Sequence, residues 1–315
     1  MIKSEICDLL GIKYPVFQGG MAWISDASLA SAVSNAGGLG LISAINYGVD
    51  EVRQEIRKCK KLTDKPFGVN IMLMNPFVDD IAQMVIEEGV SVLTTGAGMP
   101  SKYMKDWLGA GIKVIPVVAS VAVAKRVEMM GATAIIAEGS EAGGHVGNLN
   151  TLVLVPQIVD AVSIPVLAAG GIADGRGLAS ALILGAKGVQ CGTCFLVANE
   201  CTIHENYKKK VLSARDSDTI VTGKRFGHPV RALKNQFTKQ FADMENDNTV
   251  DDKTIMDFGS GSLRKAVKDG DEKMGSFMAG QAAGLICESK PAKDIIELMV
   301  KDAEELLKKG NQFIY

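Results

Sequence analysis

The segment IPVLAAGGIADGRGLASALILGAKGVQCGTCF, residues 164–195, contains one complete unit of the pattern that decides the fold. A short apolar run, Pro165–Ile172, leads through a helical pattern to Gly185, and a second apolar run, Gly188–Phe195, follows. Runs that are apolar throughout, rather than alternating, are typical of strands buried on both faces of a parallel sheet. Glycine suits the end of the intervening helix, where the backbone needs a positive φ angle. The segment therefore predicts a strand–helix–strand unit with parallel strands.

The same unit recurs through the first 200 residues. Eight apolar runs begin at intervals of 21 to 31 residues, and each interval is long enough for one helix. The other six runs are Pro15–Gly20, Gly38–Ser43, Pro66–Leu73, Ser91–Gly98, Lys113–Ser120 and Ala134–Gly139. Eight such units predict an α/β chain folded as a (β/α)8 TIM barrel. An open Rossmann-type sheet would carry a complete GxGxxG after its first strand, whereas the Gly96-x-Gly98 segment continues with Met99, Pro100 and Ser101 and does not complete one.

The pattern changes after about residue 200. We expect residues 201–275 to form a smaller, mostly helical second (cap) domain, and residues 1–200 plus 276–315 to form the barrel. The tail Asp294–Lys309 reads as an amphipathic helix that packs back on the barrel. Residues 205–239 carry nine basic and three acidic side chains, whereas residues 244–257 are almost purely acidic.

Composition excludes several classes of protein. The 315 residues include 34 glycines, but the chain is 47% hydrophobic and shows no three-residue glycine period, so it is neither disordered nor collagen-like. Its net charge of −2 argues against nucleic-acid binding. The longest apolar run, residues 114–124, is shorter than the roughly 20 residues a bilayer requires, and the N-terminus lacks a signal-peptide pattern. We therefore expect a cytoplasmic protein that does not bind membranes.

The six scattered cysteines suggest reduced thiols rather than disulfides. Cys191 and Cys194 have C-x-x-C spacing, and Cys201 and His204 follow with C-x-x-H spacing, so four ligands could in principle hold zinc. The first pair falls in a strand-like stretch that runs into Phe195, where a metal loop is not expected. We favour packing thiols and assign no metal ligands.

Two glycine-containing loops follow the seventh and eighth predicted strands. In (β/α)8 barrels these loops commonly bind a phosphate through backbone amides. The alternative is that both are only tight turns. The candidate residues are Ala169, Gly170 and Gly171 in one loop and Gln190, Gly192 and Thr193 in the other.

Further candidates lie at the ends of the first, third and fourth predicted strands. A glycine pair at the first end would let a flat ligand lie against the backbone. Polar side chains at strand C-termini face ligands in such barrels, although a turn role is an equal alternative for each one. These candidates are Gln18, Gly19, Gly20, Met21, Ala22, Asn70 and Thr94.

The segment after the sixth predicted strand, EGSEAGGHVG at residues 138–147, is the most informative for chemistry. His145 lies in a glycine-rich loop at the predicted active face, where an imidazole could donate or accept a proton near neutral pH. Glu138 and Glu141 could belong to an acid–base set with it, but their spacing does not establish one. No metal-ligand spacing surrounds His145, and a G-x-S-x-G motif of serine hydrolases is absent from the sequence.

Seven segments together resemble the flavin-dependent enoyl-[acyl-carrier-protein] reductase II family, within the nitronate monooxygenase (2-nitropropane dioxygenase) superfamily. They are FQGGMAW (17–23), AGGLG (36–40), KPFGVNIML (65–73), TTGAGMPSKYM (94–104), AEGSEAGGHVG (137–147), IPVLAAGGIADG (164–175) and MAGQAAGL (278–285). The cap segment FGHPVRALKNQFTKQF (226–241) matches as well. The EAGGH and AGGI motifs are common to the superfamily, whereas FQGGMAW and the cap segment point to the reductase.

The resemblance implies FMN at the C-terminal mouth of the barrel, NADH or NADPH as reductant, and a possible monovalent cation, K⁺ or NH₄⁺. His145 matches the family's active-site histidine, either as an acid or as a hydrogen-bond donor to the thioester carbonyl. A homodimer is expected for such a barrel. The implied cofactor-binding residues are Gln18, Gly19, Gly20, Met21, Ala22, Asn70, Thr94, Glu138, Gly139, Gly143, Gly144, Ala169, Gly170, Gly171, Gln190, Gly192 and Thr193.

The implied partner is acyl carrier protein with an enoyl chain, and this carrier is strongly acidic. Basic residues of segment 205–239 are therefore a candidate docking surface, with a solvated cap as the alternative. The candidates are Lys208, Lys209, Lys210, Arg231 and Lys234. Two other functions remain open: a nitronate monooxygenase with His145 as base and dioxygen as oxidant, and a non-enzymatic flavin-binding protein, against which the His145 loop argues.

Overall fold

A computed structural model of the protein describes residues 2, 4–45 and 48–310. Eight parallel strands form one sheet, and each coincides with a predicted apolar run. They are β1 (Val16–Gln18), β2 (Gly40–Ser43), β3 (Phe67–Met72), β4 (Val92–Gly96), β5 (Lys113–Val118), β6 (Ile135–Glu138), β8 (Val166–Ala169) and β9 (Gly188–Cys191). A two-residue strand, β7 (Gly144–His145), lies outside this sheet.

The sheet closes on itself. Its strand order is β1-β9-β8-β6-β5-β4-β3-β2, and the two ends meet through hydrogen bonds between the β1 segment and the residue before β2. The amide of Gln18 donates to the carbonyl of Leu39, and the amide of Leu39 donates to the carbonyl of Val16, each over 3.0 Å. The predicted (β/α)8 barrel is therefore confirmed.

Fourteen α-helices lie among the described residues, and half of them lie between successive barrel strands. They are α1 (Glu5–Leu10), α2 (Ala27–Asn35), α3 (Val49–Leu62), α4 (Val78–Glu87), α5 (Met104–Gly109), α6 (Val121–Met129), α7 (Thr151–Val159), α8 (Gly175–Ile183), α9 (Thr193–Leu196), α10 (Glu205–Leu212), α11 (Gln236–Asn246), α12 (Asp252–Gly259), α13 (Ser262–Arg264) and α14 (Ala292–Lys308). No helix in the described part of the chain is long and apolar enough to cross a membrane.

Local sequence signals explain where the helices begin and end. The carboxylates of Asp26 and Asp174 accept hydrogen bonds from amides in the first turns of α2 and α8, as helix N-caps do. The glycines before four strands all have positive φ, from +61° to +96°, and they include the helix end predicted at Gly185. These four are Gly89, Gly111, Gly131 and Gly185.

The core has two parts. One set of buried side chains contains alternate residues of neighbouring strands, among them Phe17, Leu41 and Leu167, together with residues of α1. These fill the inside of the barrel. The strand residues that alternate with these, such as Val16 and Val189, point outward and pack with the surrounding helices. Both faces of every strand are thus buried, which is why the sequence runs are continuously apolar.

The tail packs on the barrel as predicted. Helix α14 buries Ile296, Met299 and Ala303 against α2 and α8. The approach to α8 is close: a β-carbon on Gly175 would lie 2.6 Å from the amide nitrogen of Ala303. The predicted barrel segments also include residues 1, 3, 46, 47 and 311–315, which lie outside the described residues.

Two local predictions need correction. The eighth apolar run does not continue as a strand to Phe195, because β9 ends at Cys191 and Thr193–Leu196 is helical. Within residues 201–275 the chain also forms strands that the sequence pattern did not indicate. A hairpin of β10 (Thr219–Thr222) and β11 (Val230–Leu233) lies among the helices, and β11 pairs antiparallel with β7.

Candidate active site

A cavity of about 550 Å³ opens at the carboxyl ends of the barrel strands. Fifteen of the eighteen site residues predicted from the sequence line it. They are Gly19, Gly20, Met21, Ala22, Asn70, Glu138, Gly143, Gly144, His145, Ala169, Gly170, Gly171, Gln190, Gly192 and Thr193. This volume lies within the usual range for small-molecule and cofactor sites.

The other three predicted residues lie behind the cavity wall. Gln18 is fully buried; its side-chain amide donates to Ser25 Oγ over 2.8 Å, and its Oε1 accepts from the amide of Leu41. Thr94 is also fully buried. Gly139 packs so closely on the start of α7 that a β-carbon there would lie 2.1 Å from Thr151 Oγ1. All three support the wall from behind.

Gly20 and Asn70 form one wall of the cavity. A β-carbon on residue 20 would lie 2.2 Å from Asn70 Cβ, so only glycine leaves room for the asparagine. Asn70 Nδ2 donates to Thr94 Oγ1 over 2.8 Å, which fixes the amide plane. The wall is therefore bare backbone beside one oriented amide, a surface suited to a flat ligand with polar edges.

The two glycine loops after the neighbouring strands β8 and β9 both line the cavity. Gly170 and Gly171 have φ angles of +94° and +76°, a left-handed conformation that favours glycine. Within the described part of the chain, the amides of Gly171 and Gly192 donate to no protein acceptor. Two free backbone donors at the ends of these strands suit an anionic group such as a phosphate.

Gln190 contributes an unpaired acceptor. Its Oε1 is buried and has no hydrogen-bond partner among the described residues, although Gln190 lines the cavity. Buried polar atoms of this kind are rare in folded proteins, and an unmade hydrogen bond to such an atom costs about 1–3 kcal/mol. A ligand hydroxyl or N–H would satisfy it.

The two carboxylates of the His145 loop have different environments. Glu141 accepts hydrogen bonds from the amide and hydroxyl of Thr151, at 2.9 and 3.0 Å, and so holds the loop to α7. Glu138 faces the cavity without a hydrogen bond or ion pair to any described residue. Burial raises the pKa of its carboxyl to about 7. Glu138 therefore remains available to a ligand, whereas Glu141 is structural.

His145 lies at the cavity mouth on β7 and is held there by the hairpin of β10 and β11. In the antiparallel pairing of β11 with β7, Val230 lies opposite His145 and Arg231 lies opposite Gly144. The amide of Val146 donates to the carbonyl of Pro229 over 3.0 Å. Burial, and to a smaller degree the charge of His228, lower the pKa of the His145 imidazole. The ring is therefore neutral at pH 7 and can donate or accept one hydrogen bond.

The sequence prediction missed one wall of the cavity. Met278, Ala279 and Gly280 lie against the His145 loop, and the amide of Gly280 donates to Thr193 Oγ1 over 2.9 Å. A β-carbon on Gly143 would lie 2.7 Å from Ala279 Cα. The run of small residues in MAGQAAGL is the signal that could have indicated this close packing.

Apolar side chains extend the cavity beyond the glycine wall. They come from several different loops and were not predicted as site residues. They include Ile45, Met72, Val118, Ile172, Leu196 and Leu263. The site can therefore accept an apolar ligand beside the polar one.

The basic segment 205–239 is less uniform than its sequence suggests. Lys208 is buried, and its ammonium donates to the carbonyl of Ala198 over 3.0 Å, so its assignment to a docking surface is wrong. Arg231 is half-buried and bonded to Ser140 and Thr219. Lys209 and Lys234 are exposed.

Cys191 and Cys194 lie side by side in the core, and burial together with their mutual hydrogen bond raises the pKa of Cys191 well above its ordinary value. Among residues 2, 4–45 and 48–310, no three His, Cys, Asp or Glu side chains are grouped to hold a metal ion.

Comparison with known proteins adds independent findings. A family profile described as nitronate monooxygenase matches residues 3–302. The chain is 33% identical, over 96% of each chain, to a dehydrogenase of Mycobacterium tuberculosis. That relative is named (3aS,4S,5R,7aS)-5-hydroxy-7a-methyl-1-oxo-octahydro-1H-indene-4-carboxyl-CoA dehydrogenase. A probable nitronate monooxygenase of Staphylococcus saprophyticus is 34% identical over 97% of this chain and 99% of its own.

Two solved structures resemble the chain over nearly all of its length. FabK from Thermotoga maritima is 48% identical, covers 100% of both chains and superposes with a TM-score of 0.97. A nitroalkane oxidase from Streptomyces ansochromogenes is 28% identical over 96% of this chain and 99% of its own, with a TM-score of 0.86.

Proposed function

The chain belongs to the nitronate monooxygenase family of flavin-dependent oxidoreductases, and we propose that it uses FMN and NADH or NADPH to reduce trans-2-enoyl thioesters of acyl carrier protein. The observation that carries the proposal is the 48% identity over the full length to FabK, an enoyl-[acyl-carrier-protein] reductase II. The similarity to a dehydrogenase of a carboxyl-CoA thioester also favours a thioester substrate.

The residues of the cavity fit FMN. The free amides of Gly171 and Gly192 would bind its phosphate, and the Gly20–Asn70 wall would accept the flat ring. The unpaired Oε1 of Gln190 would accept from a ligand hydroxyl. When bound, FMN would supply hydride transfer from the nicotinamide to the β-carbon of the enoyl thioester, while a proton would reach the α-carbon.

His145 would act on the thioester. Because its pKa is lowered, the ring is neutral at working pH and can donate a hydrogen bond to the thioester carbonyl, where negative charge develops. The apolar residues beside it would exclude water and contact the acyl chain. We propose that His145 acts as a hydrogen-bond donor, and that the α-carbon takes its proton from solvent.

The remaining parts of the proposal concern partners and organisation. Residues 201–275 would form the cap domain, and exposed Lys209 and Lys234 would attract an acidic carrier protein. A homodimer in the cytoplasm, and stimulation by K⁺ or NH₄⁺, are proposed from the family resemblance alone.

A second candidate function is oxidation of alkyl nitronates with dioxygen. It is favoured by the 34% identity to a probable nitronate monooxygenase, and a neutral His145 would then serve as the base.

Steady-state assays separate the two functions. The reductase predicts oxidation of NADH or NADPH that depends on crotonyl-CoA or crotonyl-acyl carrier protein, with little oxygen uptake on propyl nitronate. Oxygen uptake on propyl nitronate without nicotinamide, and no oxidation that depends on the enoyl thioester, would identify the monooxygenase instead.

A further inference from the structure

His228 lies beside His145, although the sequence assigned it no chemistry. The two imidazoles meet edge to face, with ring centroids 6.5 Å apart and planes inclined by 84°. His228 belongs to the turn between β10 and β11 and lies 83 residues after His145 in the sequence. Its place beside the candidate catalytic ring therefore results from tertiary structure.

We propose that His228 is a positioning residue for His145: from the cap hairpin it fixes the orientation of the His145 ring and opposes a positive charge on it. The proposal rests on the proposed function only in taking His145 as the residue that acts on substrate.

The hairpin that carries His228 is firmly joined to the strand that carries His145. Strand β11 pairs with β7, and the carbonyl of Pro229, next to His228, accepts from the amide of Val146 over 3.0 Å. Arg231 also joins the hairpin to the His145 loop. Its Nη2 and Nε donate to the carbonyl of Ser140 over 3.0 and 3.2 Å, and its Nη1 donates to Thr219 Oγ1 over 2.9 Å. The backbones that carry the two rings consequently keep a fixed relation.

The turn itself is shaped to bring His228 to this position. Gly223 has a φ of +80°, and a β-carbon there would lie 2.7 Å from the carbonyl oxygen of His228. The amide of His228 donates to the carbonyl of Gly223 over 3.3 Å. The position of the ring therefore follows from a tight, hydrogen-bonded turn.

Charge gives the pair a consequence that packing alone would not have. Two protonated imidazoles at this distance repel, and His228 contributes to lowering the pKa of His145. Most other charged groups on the surrounding elements already have partners. Arg231 donates to the carbonyl of Ser140, Glu141 accepts from Thr151, and Arg225 forms an ion pair with Asp252. The remaining ones on these elements are Glu138 at the end of β6, Lys224 in the turn and Arg264, which pairs with Asp269. Among these groups, His228 is the one that contributes to lowering the pKa of His145.

The test is a histidine titration of the FMN-loaded protein by NMR, with carbon-13-labelled histidine. The chain has three histidines, so single variants assign every signal. His228→Phe keeps a flat ring and removes the charge, whereas His228→Gln removes both. His204→Asn is the matched control, because His204 only caps α10 by accepting from the amide of Asn206, and asparagine is a good cap.

We expect the His145 titration to move to higher pH in both His228 variants and to stay in place in His204→Asn. We also expect His228→Gln to lower kcat by about 10-fold without changing the KM for the nicotinamide, because a misoriented group reacts more slowly. His228→Phe should keep most of the kcat at high pH. Melting curves and the flavin spectrum verify that each variant is folded and loaded.

An unchanged His145 titration in both His228 variants would overturn the proposal, even if activity falls, because a purely structural role predicts that combination. If the titration moves as expected but the wild type reduces no enoyl thioester, the proposed function fails while the coupling of the two histidines stands.

Discussion

The side chain of Asn70 occupies the space that a β-carbon on Gly20 would take, with only 2.2 Å between the two positions. The first and third barrel strands thus meet at the cavity through a glycine and an amide that require each other. Asn70 is in turn fixed by its hydrogen bond to Thr94. This contact links the glycine-rich composition to the proposed flavin site.

Gly20→Ala should displace Asn70 and weaken FMN binding. Overpacking at a buried contact costs about 1–3 kcal/mol, which corresponds to a loss of affinity of roughly 5- to 150-fold. The dissociation constant is measured by titrating the apoprotein with FMN and following flavin fluorescence. Gly109→Ala is the control, because a β-carbon on Gly109 meets nothing within 4 Å. Equal FMN affinity in the two variants would contradict this account of the wall.

Gln190→Met should weaken FMN binding without destabilising the apoprotein. The Oε1 of Gln190 is buried and unpaired, so its removal sacrifices no hydrogen bond within the described protein but deprives the ligand of an acceptor. We expect affinity to fall by about 10-fold, equivalent to one hydrogen bond, with an unchanged or higher melting temperature. Gln157→Met, on the exposed face of α7, controls for the substitution itself. A large drop in apoprotein stability would indicate a structural role for Gln190.

Glu138→Gln should change how stability depends on pH. Burial raises the pKa of Glu138 from 4.5 to about 7, so the folded protein keeps this proton to higher pH than the unfolded chain does. The favourable contribution of the protonated carboxyl is complete below about pH 4.5 and is lost as pH rises to about 7.

The stability of the variant relative to wild type should therefore increase between these pH values, by at most about 3 kcal/mol. Denaturant unfolding at several pH values measures the difference, and Glu272→Gln, at an exposed position, is the control. A difference that does not vary with pH would show that Glu138 is not buried as an acid.

Lysine variants should separate docking from stability. Lys209→Glu and Lys234→Glu are expected to raise the KM for an enoyl-acyl carrier protein several-fold at low salt, and to leave the KM for crotonyl-CoA unchanged. Lys208→Met should instead destabilise the protein by about 1 kcal/mol, because it removes the hydrogen bond from the ammonium to the carbonyl of Ala198, which keeps its bond from the amide of Cys201. Lys293→Glu, exposed on α14, is the matched charge reversal outside the basic segment. If it raises the carrier-protein KM equally, the docking surface is not on residues 205–239.

The barrel could be predicted because its signals are local. A strand buried on both faces needs an unbroken apolar run, and a helix end before it needs a glycine, so the Pro165–Ile172 run and Gly185 suffice to place one unit. The glycine loops could be found for the same reason. Their sequence requirements are met within a few residues.

Contacts between distant segments left no such signal. The pairing of β11 with β7 brings His228 to His145, yet neither segment has the length or alternation of an ordinary strand. The burial of the Lys208 ammonium also depends on long-range packing. The sequence located the centre of the site, whereas its outer wall and its link to the cap required the fold.

Anaerobic mixing of the FMN-loaded protein with NADH or NADPH, followed by crotonyl-CoA, tests the proposed reductase most directly. The account predicts that the nicotinamide bleaches the flavin absorbance and that the enoyl thioester restores it. In His145→Ala the bleaching should persist, while the recovery with crotonyl-CoA slows by at least about 100-fold. Bleaching that crotonyl-CoA does not reverse in the wild type, or no bleaching at all together with oxygen uptake on propyl nitronate, would contradict the account.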